Sequence, residues 1–595
     1  MNKLGAGLLA AFTVYLLAGA LHSQLEANAD SERDLFRTLA LVDLGEWPQQ
    51  GPAIDHLPLT LGPGWYFLVA PPLAINSNPL GIHWWHVAWI VVGLCVLYAA
   101  LQHYLGGAYA FAVGTLIISS AWLAAVMTKI WHNAMLPGMA FLWLGLLGFA
   151  LSTLNLKRRG RLLMSLWLLT ALMLQLHVIS LAYLAPLLAI HLLCLKRHGR
   201  ALGTLSISVS ALIALALIAS TAISLAGLDW AATGALREQR AGDGPAILET
   251  LSALPLMLGS AWHNWLGAPW GWLLLFLSLI GVKNAFQSND SYMKWVAIQM
   301  LLGLSMAIAL SSINLAPRYF SALIPALLIM AGLGLKRLLA PQMGVLIALL
   351  VMGCSIFPGG TDNAREDGVL TLAEQQSVLD AASTTLCNDA QLRQHAHGLI
   401  FGPLQATNYL NLIRRSDTPC AGSPKAGIVV GVPAFPLPPG KQSTVDGGSG
   451  RKLTLLSAPE RIDYHQIRCS RGGRACPIRI PYRWSHLGNK EQSAFKIFSG
   501  PDLNDCAPGK RLTLDVPAPT GSGPLHLVIS WYDLSRRHWE NAQISARTQD
   551  GSPLKVTQIG SDLLRFMAMY EISTTDQRFT LSIEPASSLA VVDLY

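Results

Sequence analysis

Between Leu4 and Phe357 the chain is a succession of apolar stretches separated by short polar or basic clusters, whereas from Pro358 to Tyr595 no apolar stretch of that length recurs. A helix that crosses a bilayer needs about 20 predominantly apolar residues. The pattern predicts spanning helices near residues 4–21, 84–104, 109–127, 134–154, 162–176, 178–195, 203–226, 270–288, 293–312, 319–335 and 342–357, about eleven in all. The stretch 162–195 is too long for one span and is basic at both ends, so it predicts two helices with a bend near Gln175, His177 and Ser180. Residues 1–357 thus read as a polytopic α-helical membrane domain.

Pro358, Gly359 and Gly360 mark a boundary. Residues 358–439 read as a small mixed α/β segment, with helices over 370–386 and 391–397 and an apolar strand over 426–432. Residues 440–595 read as a β-rich domain of short strands over 452–456, 496–498, 511–516, 524–531, 543–546, 579–583 and 590–594. That pattern suggests a β-sandwich similar to a carbohydrate-binding module. Trp531, Tyr532 and Trp539 have two readings, stacking on sugar rings or filling the core.

Composition agrees: of 595 residues, 52% are hydrophobic and 13% charged, which excludes an ordinary soluble protein. Lys and Arg number 42 against 34 Asp and Glu. The basic excess sits largely between apolar runs, where it reports topology rather than a nucleic-acid footprint. The clusters Lys157–Arg158–Arg159–Arg161, Lys196–Arg197–Arg200 and Lys336–Arg337 are assigned to the cytoplasmic side, as is the N-terminus, since Lys3 precedes the first helix and acidic residues follow it. Ala27-Asn28-Ala29 is a cleavage-like triplet, but an uncleaved first helix is the reading adopted. An odd number of spans then places the C-terminal part outside the cytoplasm. Cys387, Cys420, Cys469, Cys476 and Cys506 all fall in that part, as an oxidising compartment allows. Candidate pairs are Cys387 with Cys420, and Cys469 with Cys476 or Cys506; free buried thiols are the alternative.

Two loops on the outer side are long, 23–83 and 227–268. The first begins with Asp30, Glu32 and Asp34; a four-residue spacing puts Asp30 and Asp34 on one face of a short helix. Polar groups also gather at outer helix ends: Lys129, His132 and Asn133, then His177, His263, and Arg318 with Tyr319. Each has a bland reading alone, as interfacial or snorkelling side chains. Their concentration on the side of the acidic loop makes them functional candidates.

These residues resemble a known family. Asp30-Ser31-Glu32-Arg33-Asp34 after the first helix, Gly51-Pro52 and Leu61-Gly62-Pro63-Gly64-Trp65-Tyr66 leading to Ala70-Pro71-Pro72, Trp131-His132-Asn133, Gln175-Leu176-His177, and Ala316-Pro317-Arg318-Tyr319-Phe320 are similar to motifs of polytopic C-type (GT-C) glycosyltransferases. Within them the likeness is to the protein mannosyltransferase and aminoarabinose transferase relatives of glycosyltransferase families 39 and 83, and it covers roughly residues 1–357. One departure is Ala134, where the family has proline after the asparagine.

The resemblance implies transfer of a sugar from a polyprenyl-phosphate donor to a cell-envelope acceptor (glycan, lipid or protein) on the outer face of a bacterial inner membrane. It assigns Asp30 as base with Glu32 or Asp34 assisting, Arg318 with Lys129 and Tyr319 to the donor phosphate, and His132, Asn133, His177 and His263 to the cavity. A divalent cation such as Mg or Mn stays open, since relatives of the wider fold act with or without one. Two other classes compete, a flippase for a lipid-linked sugar and a glycan-binding membrane receptor. The absence of repeated halves and of paired broken helices in the sequence weighs against the flippase.

Overall fold

The computed structural model describes most of residues 2–14, 51–75, 80–199, 267–311 and 323–356, isolated positions near 38–48, 208–215 and 254–259, and a set of strands between 428 and 594. The described helices are α1 (Asn2–Val14), α2 (Gly64–Ile75), α3 (Leu80–Leu105), α4 (Gly107–Ile118), α5 (Leu136–Ser152), α6 (Leu156–Leu176), α7 (Leu181–His198), α8 (Gly267–Gln287), α9 (Ser291–Ser311), α10 (Ile324–Leu338) and α11 (Pro341–Ile356). Among them, four stretches are long and apolar enough to cross a membrane: Leu80–Leu105, His132–Ser152, Val178–His198 and Pro269–Gln287. The chain is a multi-pass helical membrane protein with a β-rich C-terminal part. The predicted helix over 203–226 falls almost wholly outside the described residues, as do those over 370–386 and 391–397.

The expected bend has a local cause. α6 stops at Leu176, and His177 turns extended (φ −163°, ψ 139°). The His177 Nδ1 then accepts from the Ile179 N–H at 3.2 Å, closing a 3₁₀ turn over Val178–Ser180 before α7 begins. An imidazole thus caps the 3₁₀ turn that leads into α7, a role usually filled at helix starts by Ser, Asp or Asn.

α3 and α5 run parallel in close contact: Gly138 lies against Trp89 and Ile90, Gly145 against Val96 and Leu97, and Gly148 against Ala100. Small residues at such a seam let two helix backbones approach, the usual basis of helix association in lipid.

The basic clusters meet at one end of this bundle. Arg159 donates to the carbonyls of Ala150 (3.1 Å) and Thr153 (2.6 Å) and lies 3.2 Å from His198 Nε2, tying the ends of α5, α6 and α7. Tyr104 donates to Gly148 O at 2.9 Å and stacks on Tyr292 with centroids 4.3 Å apart, and Lys336 donates to Tyr104 O at 3.0 Å. The shared placement of 157–161, 196–197 and 336–337 is the arrangement that their common assignment to one membrane side requires.

One element departs from expectation. Residues 61–72 read as a turn-rich, aromatic loop, yet Gly64–Ile75 is a helix. Trp65, Tyr66, Val69 and Leu73 are buried along it at helical spacing, and the helix runs through Pro71 and Pro72 although each removes a backbone donor and crowds the preceding turn.

Among the described residues beyond 428, the strand pairings are antiparallel. Strands β3 (Ile428–Val429), β4 (Lys441–Asp446) and β5 (Lys452–Ser457) form a three-stranded sheet in the order β3-β5-β4. A six-stranded sheet follows the order β11-β10-β14-β8-β6-β7, from β6 (Gln466–Arg471), β7 (Arg474–Pro477), β8 (Leu512–Val516), β10 (Gln543–Thr548), β11 (Pro553–Leu554) and β14 (Phe579–Glu584). A four-stranded sheet runs β12-β13-β9-β15, from β9 (Leu525–Trp531), β12 (Val556–Asp562), β13 (Met567–Ile572) and β15 (Leu589–Leu594). In β14, Phe579, Leu581 and Ile583 are buried while the residues between them are not, the period-two signature of a sheet with one covered face. The strand expected at 496–498 lies outside the described residues, as do Tyr532 and Trp539.

Candidate functional site at one end of the helical bundle

At the end opposite the basic clusters, short elements carry polar side chains into the apolar bundle. α3 brings His83 and His86, one turn apart; a 3₁₀ turn over His132–Met135 brings His132 and Asn133; and the end of α6 brings Gln175 and His177. All six are buried. The His132–Met135 turn packs on both α3 and α6, which draws the three sources together.

A strap crosses this shell. Its base is a small antiparallel hairpin of β1 (Ala53–Ile54) and β2 (Leu59–Thr60), closed by hydrogen bonds from Gly51 N to Leu61 O and from Leu61 N to Pro52 O, both 2.8 Å. The strap then presses Gly62 and Gly64 onto Gln175: a Cβ on Gly62 would lie 2.9 Å from the Gln175 carboxamide carbon, and one on Gly64 would collide with its Oε1. These glycines allow the close approach without a special backbone angle, since a side chain on either would have to push the Gln175 carboxamide aside. α2 continues the strap and buries Trp65 fully against the bundle.

Among the described residues, Trp65 Nε1, His86 Nε2, Asn133 Oδ1 and Gln175 Nε2 are buried polar atoms without a hydrogen-bond partner. A buried polar atom left unpaired costs about 1–3 kcal/mol. Four at one end of a membrane domain make a cluster able to exchange hydrogen bonds with a neutral, hydroxyl-bearing group. Trp85 Nε1, Tyr98 Oη and Tyr292 Oη are likewise unpaired, whereas two further buried indoles are satisfied and read as structural. Trp167 Nε1 donates to His191 Nδ1 at 2.8 Å, and Trp143 Nε1 donates to Thr170 Oγ1 at 2.8 Å.

Of the residues assigned from sequence, His132, Asn133 and His177 fall in this shell, and His177 also serves the bend. Asp30, Glu32, Asp34, Lys129, His263, Arg318 and Tyr319 lie outside the described residues, as do Cys387, Cys420 and Cys506. Sequence reading passed over His83 and His86, although His83-Trp84-Trp85-His86 opens an apolar run with polar residues at helical spacing. It also quoted Gln175 without giving it a role. Among the described residues, no group of three or more His, Cys, Asp or Glu is placed to hold a metal.

No protein-family model matches the chain, and no curated protein matches it by sequence. Similar solved structures include the archaeal oligosaccharyltransferase AglB from Archaeoglobus fulgidus in complex with an inhibitory peptide and a dolichol-phosphate, at 15% identity and a TM-score of 0.41 over 65% of this chain and 58% of that one. The chain therefore spans less than two thirds of that relative's length. ArnT from Cupriavidus metallidurans bound to undecaprenyl phosphate is similar at 12% identity and a TM-score of 0.48, over 76% of this chain and 97% of that one. Arabinosyltransferase EmbB from Mycobacterium smegmatis is similar at 11% identity and a TM-score of 0.35, over 99% and 64%. These are GT-C glycosyltransferases, the class that the sequence motifs resemble. The functional reading is carried by the residues of this chain.

Proposed function

We propose that the chain is a membrane glycosyltransferase that moves a sugar from a polyprenyl-phosphate donor to a cell-envelope acceptor on the outer face of a bacterial inner membrane, with about eleven spans and the C-terminal part on that same face. The observation that carries this reading is the shell of His83, His86, His132, Asn133, Gln175 and His177 at the bundle end away from the basic clusters. The glycine strap downstream of the acidic segment meets this shell at Gln175. Buried hydrogen-bonding groups in an otherwise apolar setting suit a sugar ring, whose hydroxyls both donate and accept.

The chemistry then divides among named residues. Asp30 accepts the proton of the acceptor hydroxyl as its oxygen attacks the anomeric carbon, with Glu32 or Asp34 assisting. The bond from that carbon to the phosphate oxygen breaks, and the departing phosphate gains charge. Arg318 offers a planar fork matched to phosphate oxygens, with Lys129 and Tyr319 beside it. A divalent cation held by the acidic segment would supply the same charge stabilisation.

The test is transfer from radiolabelled polyprenyl-phosphate sugars by purified full-length protein, with Asp30→Asn and Arg318→Ala beside it. Wild-type transfer that disappears in both variants supports the reading. Lipid binding without turnover on any cell-envelope acceptor would move a flippase or receptor to the front.

A further inference from the structure

The six-stranded sheet ends in a hairpin that carries two of the five cysteines beyond the membrane domain. β6 and β7 pair with Arg468 opposite Pro477, Cys469 opposite Cys476, Ser470 opposite Ala475 and Arg471 opposite Arg474. Only Gly472 and Gly473 separate the strands in sequence, and Gly-Gly is among the few dipeptides suited to a two-residue hairpin loop.

The register can be checked against the proline. The residues flanking a two-residue loop exchange backbone hydrogen bonds, and bonded and non-bonded pairs alternate along an antiparallel ladder. Arg471 with Arg474 is then a bonded pair, Ser470 with Ala475 is not, Cys469 with Cys476 is bonded, and Arg468 with Pro477 is not. Pro477 has no N–H, and it falls where the ladder asks for none, on the outermost strand of the sheet. Register and sequence agree through a residue that has nothing to do with the cysteines.

Cα atoms of a hydrogen-bonded pair in such a ladder are about 5.5 Å apart, within the about 4.4–6.8 Å that disulfides span. On its other side Cys469 faces Leu512 of β8. We propose that Cys469 and Cys476 are joined by a disulfide that clamps the β6–β7 hairpin at the edge of the six-stranded sheet, leaving Cys506 out of the pair. The bond forms by thiol–disulfide exchange with a donor protein's disulfide. One cysteine thiolate attacks the donor, the second displaces it, and the two thiols lose two protons and two electrons while the donor is reduced to a dithiol. Such a bond persists on the oxidising side of the membrane. The proposal does not depend on the transferase reading.

Trypsin provides a direct test, because Arg468, Arg471, Arg474 and Arg479 place the two cysteines in separate short peptides, Cys469–Arg471 and Ala475–Arg479. Full-length protein from acid-quenched membranes is blocked with a maleimide, digested without reductant and analysed by mass spectrometry. The expected result is one species with the mass of the two peptides joined, lost on reduction. Both peptides carrying maleimide in the unreduced digest, or either joined to the Cys506 peptide, would overturn the proposal. Because wild-type protein is read, no variant has to fold.

Discussion

Replacing Gly138 with alanine tests the close seam between α3 and α5. A Cβ there would lie 2.7 Å from the backbone carbon of Trp89, 2.8 Å from Ile90 N and 2.9 Å from Trp89 O. All three atoms belong to the backbone of α3, so no side chain can swing aside and the helices must part by nearly an ångström. Overpacking of this kind costs about 1–3 kcal/mol, and a backbone neighbour argues for the upper end. Alanine is worth about 1 kcal/mol over glycine inside a helix, which leaves a net loss of about 2 kcal/mol. Gly7 in α1 and Gly353 in α11 are the controls, since a Cβ on either meets nothing within 4 Å. In detergent-solubilised protein followed by intrinsic fluorescence, Gly138→Ala should lower the midpoint of thermal unfolding while Gly7→Ala and Gly353→Ala hold or raise it. A Gly138→Ala midpoint equal to that of the controls would refute the parallel α3–α5 packing.

Two further outcomes are expected. Trp143→Phe removes the indole hydrogen bond to Thr170 but keeps a ring against Tyr183, whose centroid lies 4.9 Å away. It should cost about 1–2 kcal/mol, and combination with Thr170→Val should fall short of additivity in the same thermal assay. In the β10–β11 hairpin, hydrogen bonds from the Thr548 hydroxyl and from Ser552 hold the Asp550 carboxyl below the usual carboxylate range. A depressed acid stabilises above its unfolded pKa and loses that contribution as pH falls through its folded one. Hydrogen exchange of the hairpin, corrected for intrinsic rate, should rise on acidification in wild type, and Asp550→Asn should flatten that dependence.

Much of the fold was legible because apolar length is a strong signal. The bend at His177 was visible because basic clusters bracket the stretch and both must reach one side of the membrane. The helix Gly64–Ile75 was not, since Pro71 and Pro72 read as a break while tertiary burial of Trp65 and Tyr66 overrides them. β12 was missed because Val556–Asp562 is mostly polar and its register shifts between Gln558 and Gly560, which spoils the alternation. The candidate site was legible only in part. His132 and Asn133 stood out beside Trp131, but His83 and His86 are absorbed in a hydrophobic run, and only the packing of Gly62 and Gly64 gives Gln175 a role.

The proposed division of labour is tested most directly by measuring donor binding and turnover separately in the two key variants, with a radiolabelled polyprenyl-phosphate sugar that the wild type consumes. Asp30→Asn should bind the donor as tightly as wild type and transfer nothing, whereas Arg318→Ala should lose at least tenfold in donor affinity, the loss of about 1.4 kcal/mol or more of phosphate contact. Asp30→Asn turning over at the wild-type rate, or Arg318→Ala binding donor unchanged, would contradict the account.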